Sequence, residues 1–132
     1  RHFIFDEPVF DVLRSAYHED FARAEGVKPQ AEGPGYAVYL LPEAAWSRRV
    51  SGAYGNRLAQ QHPQRAHAVL VARGDDYVVS VRAPLARPAG ASALCRQFAT
   101  GGGREGAGGI NSLPQRELDR FIEAFRAAYE SA

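Results

Sequence analysis

The sequence predicts one α/β domain: a mixed β-sheet of about five strands, including an antiparallel hairpin, with about four helices packed on it. Three observations lead there. Helix-period and strand-period segments alternate along the 132 residues. Two apolar runs, 66–72 and 77–84, are separated by "RGDD", a tight-turn signal between strands. Finally, Leu118, Phe121, Ile122, Phe125 and Tyr129 place an apolar stripe on a last helix too short to be stable without a partner surface.

In chain order, "RHFIF" (1–5) reads as an extended lead-in. Asp6 can cap a helix and Pro8 suits its first turn, with Phe10, Leu13, Tyr17, Phe21 and Ala24 at helical spacing. Gly26 and Pro29 stop it. "EGPG" (32–35) marks a turn, and "YAVYLL" (36–41) has strand composition. A second helix is expected from about Glu43 to Gln61, with Trp46, Val50, Ala53, Tyr54 and Leu58 along one stripe. Gly52 and Gly55 lie inside it, each costing about 1 kcal/mol relative to Ala, which implies a break there or, as preferred, close packing against their backbone.

The hairpin comes next. Period-2 geometry places Val78, Ser80 and Arg82 on one face of its second strand, and Tyr77, Val79 and Val81 on the other. A short helix near 91–99 turns Leu94 and Phe98 inward. A glycine stretch follows, then a strand around Ile110, and the last helix opens at Ser112 to Pro114.

Composition limits the function classes. A net charge of +1 gives no whole-molecule field toward nucleic acid or membrane. No run reaches the ~20 apolar residues of a membrane-spanning helix, and no signal peptide opens the chain. Cys95 is the one cysteine, so no disulfide framework exists, and a cytoplasmic location is expected. The cations are lopsided, with Lys28 the single lysine among 16 basic residues. Arginine's planar fork suits phosphate, although genome composition gives the same bias. Arg1 at the start and the absence of methionine suggest a piece of a longer protein.

The segment "FATGGGREGAGGINSLP" (98–114) concentrates the chemistry. A linker would join autonomous units, which the short remainder of the chain is not. Gly101, Gly103 and Gly106 match G-x-G-x-x-G. A dinucleotide fingerprint, however, needs a strand before and a helix after, and here the order is reversed. Two readings stay open: an anion nest of backbone amides supplemented by Arg104, or glycines that merely let helix and strand pack.

"SVR" (80–82), a short helix ending in "FAT", and "GGGREGAGGI" (101–110) together resemble the C-terminal, DHH-associated substrate-binding domain of DHH-family phosphoesterases. That family includes RecJ-type exonucleases and the oligoribonuclease/pAp-phosphatase type. The similarity is best over 67–130, and "WSRRVSGAYGN" (46–56) resembles an upstream piece of one subgroup. The resemblance implies a two-domain protein. An N-terminal catalytic domain would hold divalent metal, typically manganese, and this domain would grip a nucleotide or short oligonucleotide.

Carried over position by position, Arg82 and Gly101, Gly102 and Gly103 match substrate-contacting positions, with Ser80 in the strand motif. Arg104 stands where the family has His. A guanidinium holds phosphate but does not donate or accept protons near neutral pH. No Asp-His-His triplet occurs, so the fragment is expected to bind no metal and to be non-catalytic alone. His2, His18, His62 and His67 are scattered, without ligand spacing. Two other functions stay open: a coenzyme A-dependent acetyltransferase-like protein, and a dimerisation module.

Several residues have simpler explanations. Trp46 with Arg48 and Arg49 suits a base-binding patch or an ordinary amphipathic helix. Cys95 reads as a structural thiol, and Asp75 and Asp76 as turn residues. Asn56 reads as a cap or a polar bridge near a loop.

Overall fold

A computed structural model describes residues 18–130. The lead-in 1–5, the helix start at Asp6 and Pro8, and Phe10, Leu13, Tyr17 and His2 lie outside them.

Nearly continuous apolar runs at 36–41 and 66–71 suit strands covered on both faces, which a parallel pair joined by a crossover helix provides. The chain forms that unit. Residues 18–25 are helical (α1). Strands β1 (Ala31–Gly33) and β2 (Tyr36–Leu41) form a hairpin, and helix α2 (Ala45–Gln61) leads to β3 (Ala66–Arg73), parallel to β2. Strand β4 (Asp76–Arg82) returns antiparallel to β3 through a turn in which Gly74 has φ 59°, a left-handed conformation favourable to glycine. The short α3 (Ala91–Cys95) precedes β5 (Gly101–Gly103) and β6 (Ala107–Pro114), and α4 (Leu118–Tyr129) follows a 3-10 turn. The sheet runs β1-β2-β3-β4-β6-β5, mixed in direction, with β5 at one edge.

Strand alternation splits the core into two layers. Tyr36, Val38, Ala68, Leu70, Val79, Val81 and Ile110 face α3 and α4, where Leu94, Phe98, Phe121 and Phe125 complete one cluster. Ala37, Tyr39, Leu41, Val69 and Val71 face α1 and α2, meeting Phe21, Val50, Tyr54 and Leu58. Phe121 and Phe125 are fully buried and stack with their ring centroids 5.8 Å apart.

The α/β class, the hairpin and the stripes of α2 and α4 agree with the sequence reading. Three details differ. The sheet has six strands among the described residues, because Glu32 and Gly33 belong to β1 and only Pro34 and Gly35 make the turn. Ser112 to Pro114 complete β6 instead of opening the last helix, and that helix starts at Leu118. The glycine stretch is itself a strand, β5, paired with β6. Glycine and proline are poor strand formers, so composition concealed both segments.

Candidate functional site

The end of β4 brings the first candidate into place. Arg82 lies on the α2 side of the sheet, as the period-2 reading expects, and α2 holds its guanidinium. Nε donates to Asn56 Oδ1 at 2.7 Å, Nη2 to the Gly52 carbonyl at 3.4 Å, and Nη1 to the Val81 carbonyl at 3.2 Å. The two helix glycines lie beside this side chain, and a Cβ on either would make only ordinary van der Waals contact with it. A Cβ on Gly55 would stand 3.5 Å from Arg82 Cγ, and one on Gly52 3.8 Å from Nη2. Partial burial lowers the Arg82 pKa from its ordinary value, yet guanidinium stays charged at any physiological pH. Of its five N–H donors, three carry these bonds, leaving one on each terminal nitrogen.

Ser80 lies two residues back on the same face and starts a row across the sheet. It pairs with Gly109 on β6, which pairs with Gly102 on β5. Cross-strand partners share a face, so beyond α2 this row consists of one serine and two glycines.

The glycines of β5 and β6 have different reasons to be glycine. A Cβ on Gly101 would fall 1.7 Å from the Cys95 carbonyl oxygen. Gly103 has φ 142°, and its Cβ would fall 2.4 Å from Gly108 Cα; a Cβ on Gly108 would press on Cys95 Sγ at 2.9 Å. Those three are required by packing. Gly102 is not: nothing lies within 4 Å of its added Cβ, and its backbone is unstrained. Among these glycines only Gly103 has positive φ, so the segment is an edge strand and not the αR-αL nest considered from the sequence. The Arg104 amide donates to the Ala107 carbonyl at 2.8 Å. Ladder alternation then turns the Gly103 amide outward onto the open edge.

The turn between β5 and β6 carries Arg104 and Glu105. Arg104 is exposed, and its guanidinium has no hydrogen bond or ion pair among the described residues. Glu105 anchors the turn: its Oε1 accepts from the Gly90 amide at 2.9 Å, and its carbonyl from Ala91 N at 3.1 Å. The Gly106 carbonyl accepts from Ala83 N at 2.9 Å. Further support comes from α4, where the Tyr129 hydroxyl donates to the Ala89 carbonyl at 2.9 Å. Arg82 pairs with Ala107 in the ladder, so Arg82 and the turn occupy the same end of the sheet.

Beside Arg82, a cleft of about 170 Å³ opens between α2 and the segment after β4, with Asn56, Gln60, Leu85 and Gly106 among its walls. A second cleft, of about 290 Å³, is lined by Gln64, Pro84, Ala86 and Arg87.

The remaining candidates disperse. Trp46 is half-buried against the α1/α2 core. Arg49 is held by Asp20 at 2.8 and 3.1 Å, which keeps that buried carboxylate below its usual range. Arg48 is exposed. Cys95 is fully buried, and burial pushes its thiol up to about 11, consistent with a structural role. Asp76 bridges Arg73 and Ser112, holding the hairpin to β6. His67 is fully buried on β3, and among the described residues both ring nitrogens lack a hydrogen-bond partner. Among the described residues, no group of three or more His, Cys, Asp or Glu side chains is placed to hold a metal ion. Among the same residues, no helix is long and apolar enough to cross a membrane.

The sequence singled out Asn56 without naming Arg82 as its partner, and it did not reveal the part of Glu105. The spacing Gly52, Gly55, Asn56 on one helical face was the available signal for the first. The second had none, since Gly90 lies 15 residues away along the chain.

No family model matches the sequence, and no curated protein matches it. Solved structures share the fold. A DHH domain from a member of a family of ribosomal proteins aligns with TM-score 0.64 at 17% identity, covering 97% of this chain and 33% of that one. The C-Ala domain of Aquifex aeolicus alanyl-tRNA synthetase gives 0.59 at 12% identity over 76% of this chain and 96% of that one. A pGpG-specific phosphodiesterase from Vibrio cholerae gives 0.57 at 12% identity, covering 92% and 41%. The chain thus spans about a third of the DHH-domain chain, and the likeness is one of fold.

Proposed function

We propose that this domain grips the phosphate of a nucleotide or short oligonucleotide, as the substrate-binding half of a DHH-type phosphoesterase. One observation carries the reading: Arg82, fixed by α2 with two donors left over, stands at the end of a bare Ser80–Gly109–Gly102 row beside a turn bearing the unpaired Arg104. Gly102 supports it independently, because the fold gives no reason for a missing side chain there and a ligand lying against the backbone would.

Each part has a role in this reading. Arg82 offers a preoriented pair of N–H groups to phosphate oxygens, which lowers the ordering cost of binding. Arg104 adds charge from the hairpin tip, and the outward Gly103 amide adds a neutral donor. Ser80 supports the floor. Neither arginine exchanges protons at neutral pH, so the domain holds substrate and does not itself carry the reaction. A divalent metal of the manganese type, and the chemistry it supplies, would belong to an N-terminal catalytic domain packed across the site.

Calorimetric titration of AMP, pAp and a dinucleotide tests this. Arg104→Ala should weaken binding about 10- to 100-fold, the range for a lost hydrogen bond to a charged group. Gly102→Val should weaken it while leaving the melting temperature unchanged. Equal affinity for wild type and Arg104→Ala removes Arg104 from the site, and absence of binding to wild type overturns the proposal.

A further inference from the structure

The histidines lie scattered along the sequence, yet the fold brings two of them together. His62 is the C-cap residue of α2 and His67 the second residue of β3. Their ring centroids are 6.1 Å apart, with the planes tilted by 37°. The two rings differ in their surroundings. His62 is exposed, and its ring makes no hydrogen bond among the described residues. His67 is fully buried, and among the same residues neither Nδ1 nor Nε2 has a partner. A buried polar group left in that state costs about 1–3 kcal/mol. A ring-on-ring contact accounts for the spacing and leaves that cost unexplained.

One ion held between the rings fits both facts. Zn–N bonds of about 2.0–2.1 Å put two imidazoles that share an ion roughly 5–6.5 Å apart, centroid to centroid. The observed separation lies inside that span, and imidazole is a favoured ligand of zinc. We propose that His62 and His67 hold a zinc ion at the junction of α2 and β3, with water in its remaining positions. The ion reaches His67 from the exposed side of His62, and ligation gives one buried nitrogen the partner it lacks. Burial keeps His67 neutral at pH 7, the form in which imidazole binds metal. The neighbouring cation, Arg65, is ion-paired to Glu32 at 2.8 Å, which offsets its charge. Two protein ligands are fewer than the four of a structural zinc site, so the ion acts as a removable clip on a chain that folds without it. It pins the loop from α2 to β3, where the Pro63 carbonyl already accepts from Ala86 N at 3.0 Å. The sequence carries the expectation that this domain binds no metal; the pairing of these rings argues otherwise. The inference uses none of the residues of the phosphate grip.

The test is calorimetric titration of zinc into the metal-stripped 132-residue chain at pH 7, with melting temperature and imidazole NMR signals followed alongside. Wild type should bind zinc at a site that raises the melting temperature, and the ring signals of His62 and His67 should move together. His62→Ala changes an exposed side chain, so it should melt with wild type in the absence of metal. It should weaken zinc binding at least about tenfold, the lower end of what loss of even an outer-shell partner costs a metal site. His67→Leu should abolish the same site, and the double variant His2→Ala/His18→Ala should retain it. Zinc binding unchanged in His62→Ala, zinc-dependent shifts confined to His2 and His18, or no binding by wild type would each overturn the proposal. None of these results bears on the phosphate grip.

Discussion

Lowering the pH from 7 to 4.5 should destabilise the protein through one side chain, His67. Its ring is fully buried on β3, with neither nitrogen hydrogen-bonded among the described residues. Burial, reinforced by Arg65 and His62, holds its pKa down to about 4, against 6.5 when unfolded. The unfolded chain therefore takes up a proton that the folded one refuses, and stability falls as pH drops from 6.5 toward 4. The full difference is about 3 kcal/mol, at 1.36 kcal/mol per pKa unit, and most of it is gone by pH 4.5. Asp20 and Asp76, whose pKa values are lowered by their arginine and serine partners, lose their contribution only below the carboxylate range near 3.8, so the windows separate. Urea unfolding at pH 7, 5.5 and 4.5 measures the effect. His67→Leu should flatten the profile over this window, and should not weaken the protein at pH 7, since an unpaired buried polar group is removed. An acid slope identical in wild type and His67→Leu would refute the reasoning.

Three other outcomes follow from the packing. Gly101→Ala should destabilise severely or prevent folding, because its Cβ would overlap the Cys95 carbonyl, whereas Gly102→Ala should leave the thermal midpoint within a degree or two by calorimetry. Gly52→Ala should stabilise by about 0.5–1 kcal/mol in urea titration, since its methyl would meet only Arg82 Nη2 at 3.8 Å and glycine is costly within a helix. Tyr129→Phe should cost about 1 kcal/mol through loss of the hydrogen bond to Ala89, with little change in packing.

Where side chains carried a period, the sequence showed the fold. Alternation assigned Val79 and Val81 to one core and Ser80 and Arg82 to the opposite face, and the helical stripe of 118–129 assigned α4. The parts that stayed hidden are those without side-chain periodicity. Gly101–Gly103 form a strand because Gly108–Ile110 pair with them, and no propensity announces that. Arg82 was legible as a candidate. Its anchoring by Asn56, 26 residues away, depends on how α2 lies across β4, which only the tertiary arrangement decides.

The latch from Glu105 to Gly90 reaches further than the hairpin it fixes. Gly90 follows Ala89, whose carbonyl is held by Tyr129 in the last turn of α4. The hairpin tip is therefore moored to the C-terminal helix through two hydrogen bonds and one peptide link. An affinity tag that unwinds the last turn, or a truncation before Tyr129, would act at a distance on the placement of Arg104. Ligand binding is thus best measured on protein labelled elsewhere, with the C-terminal end left intact.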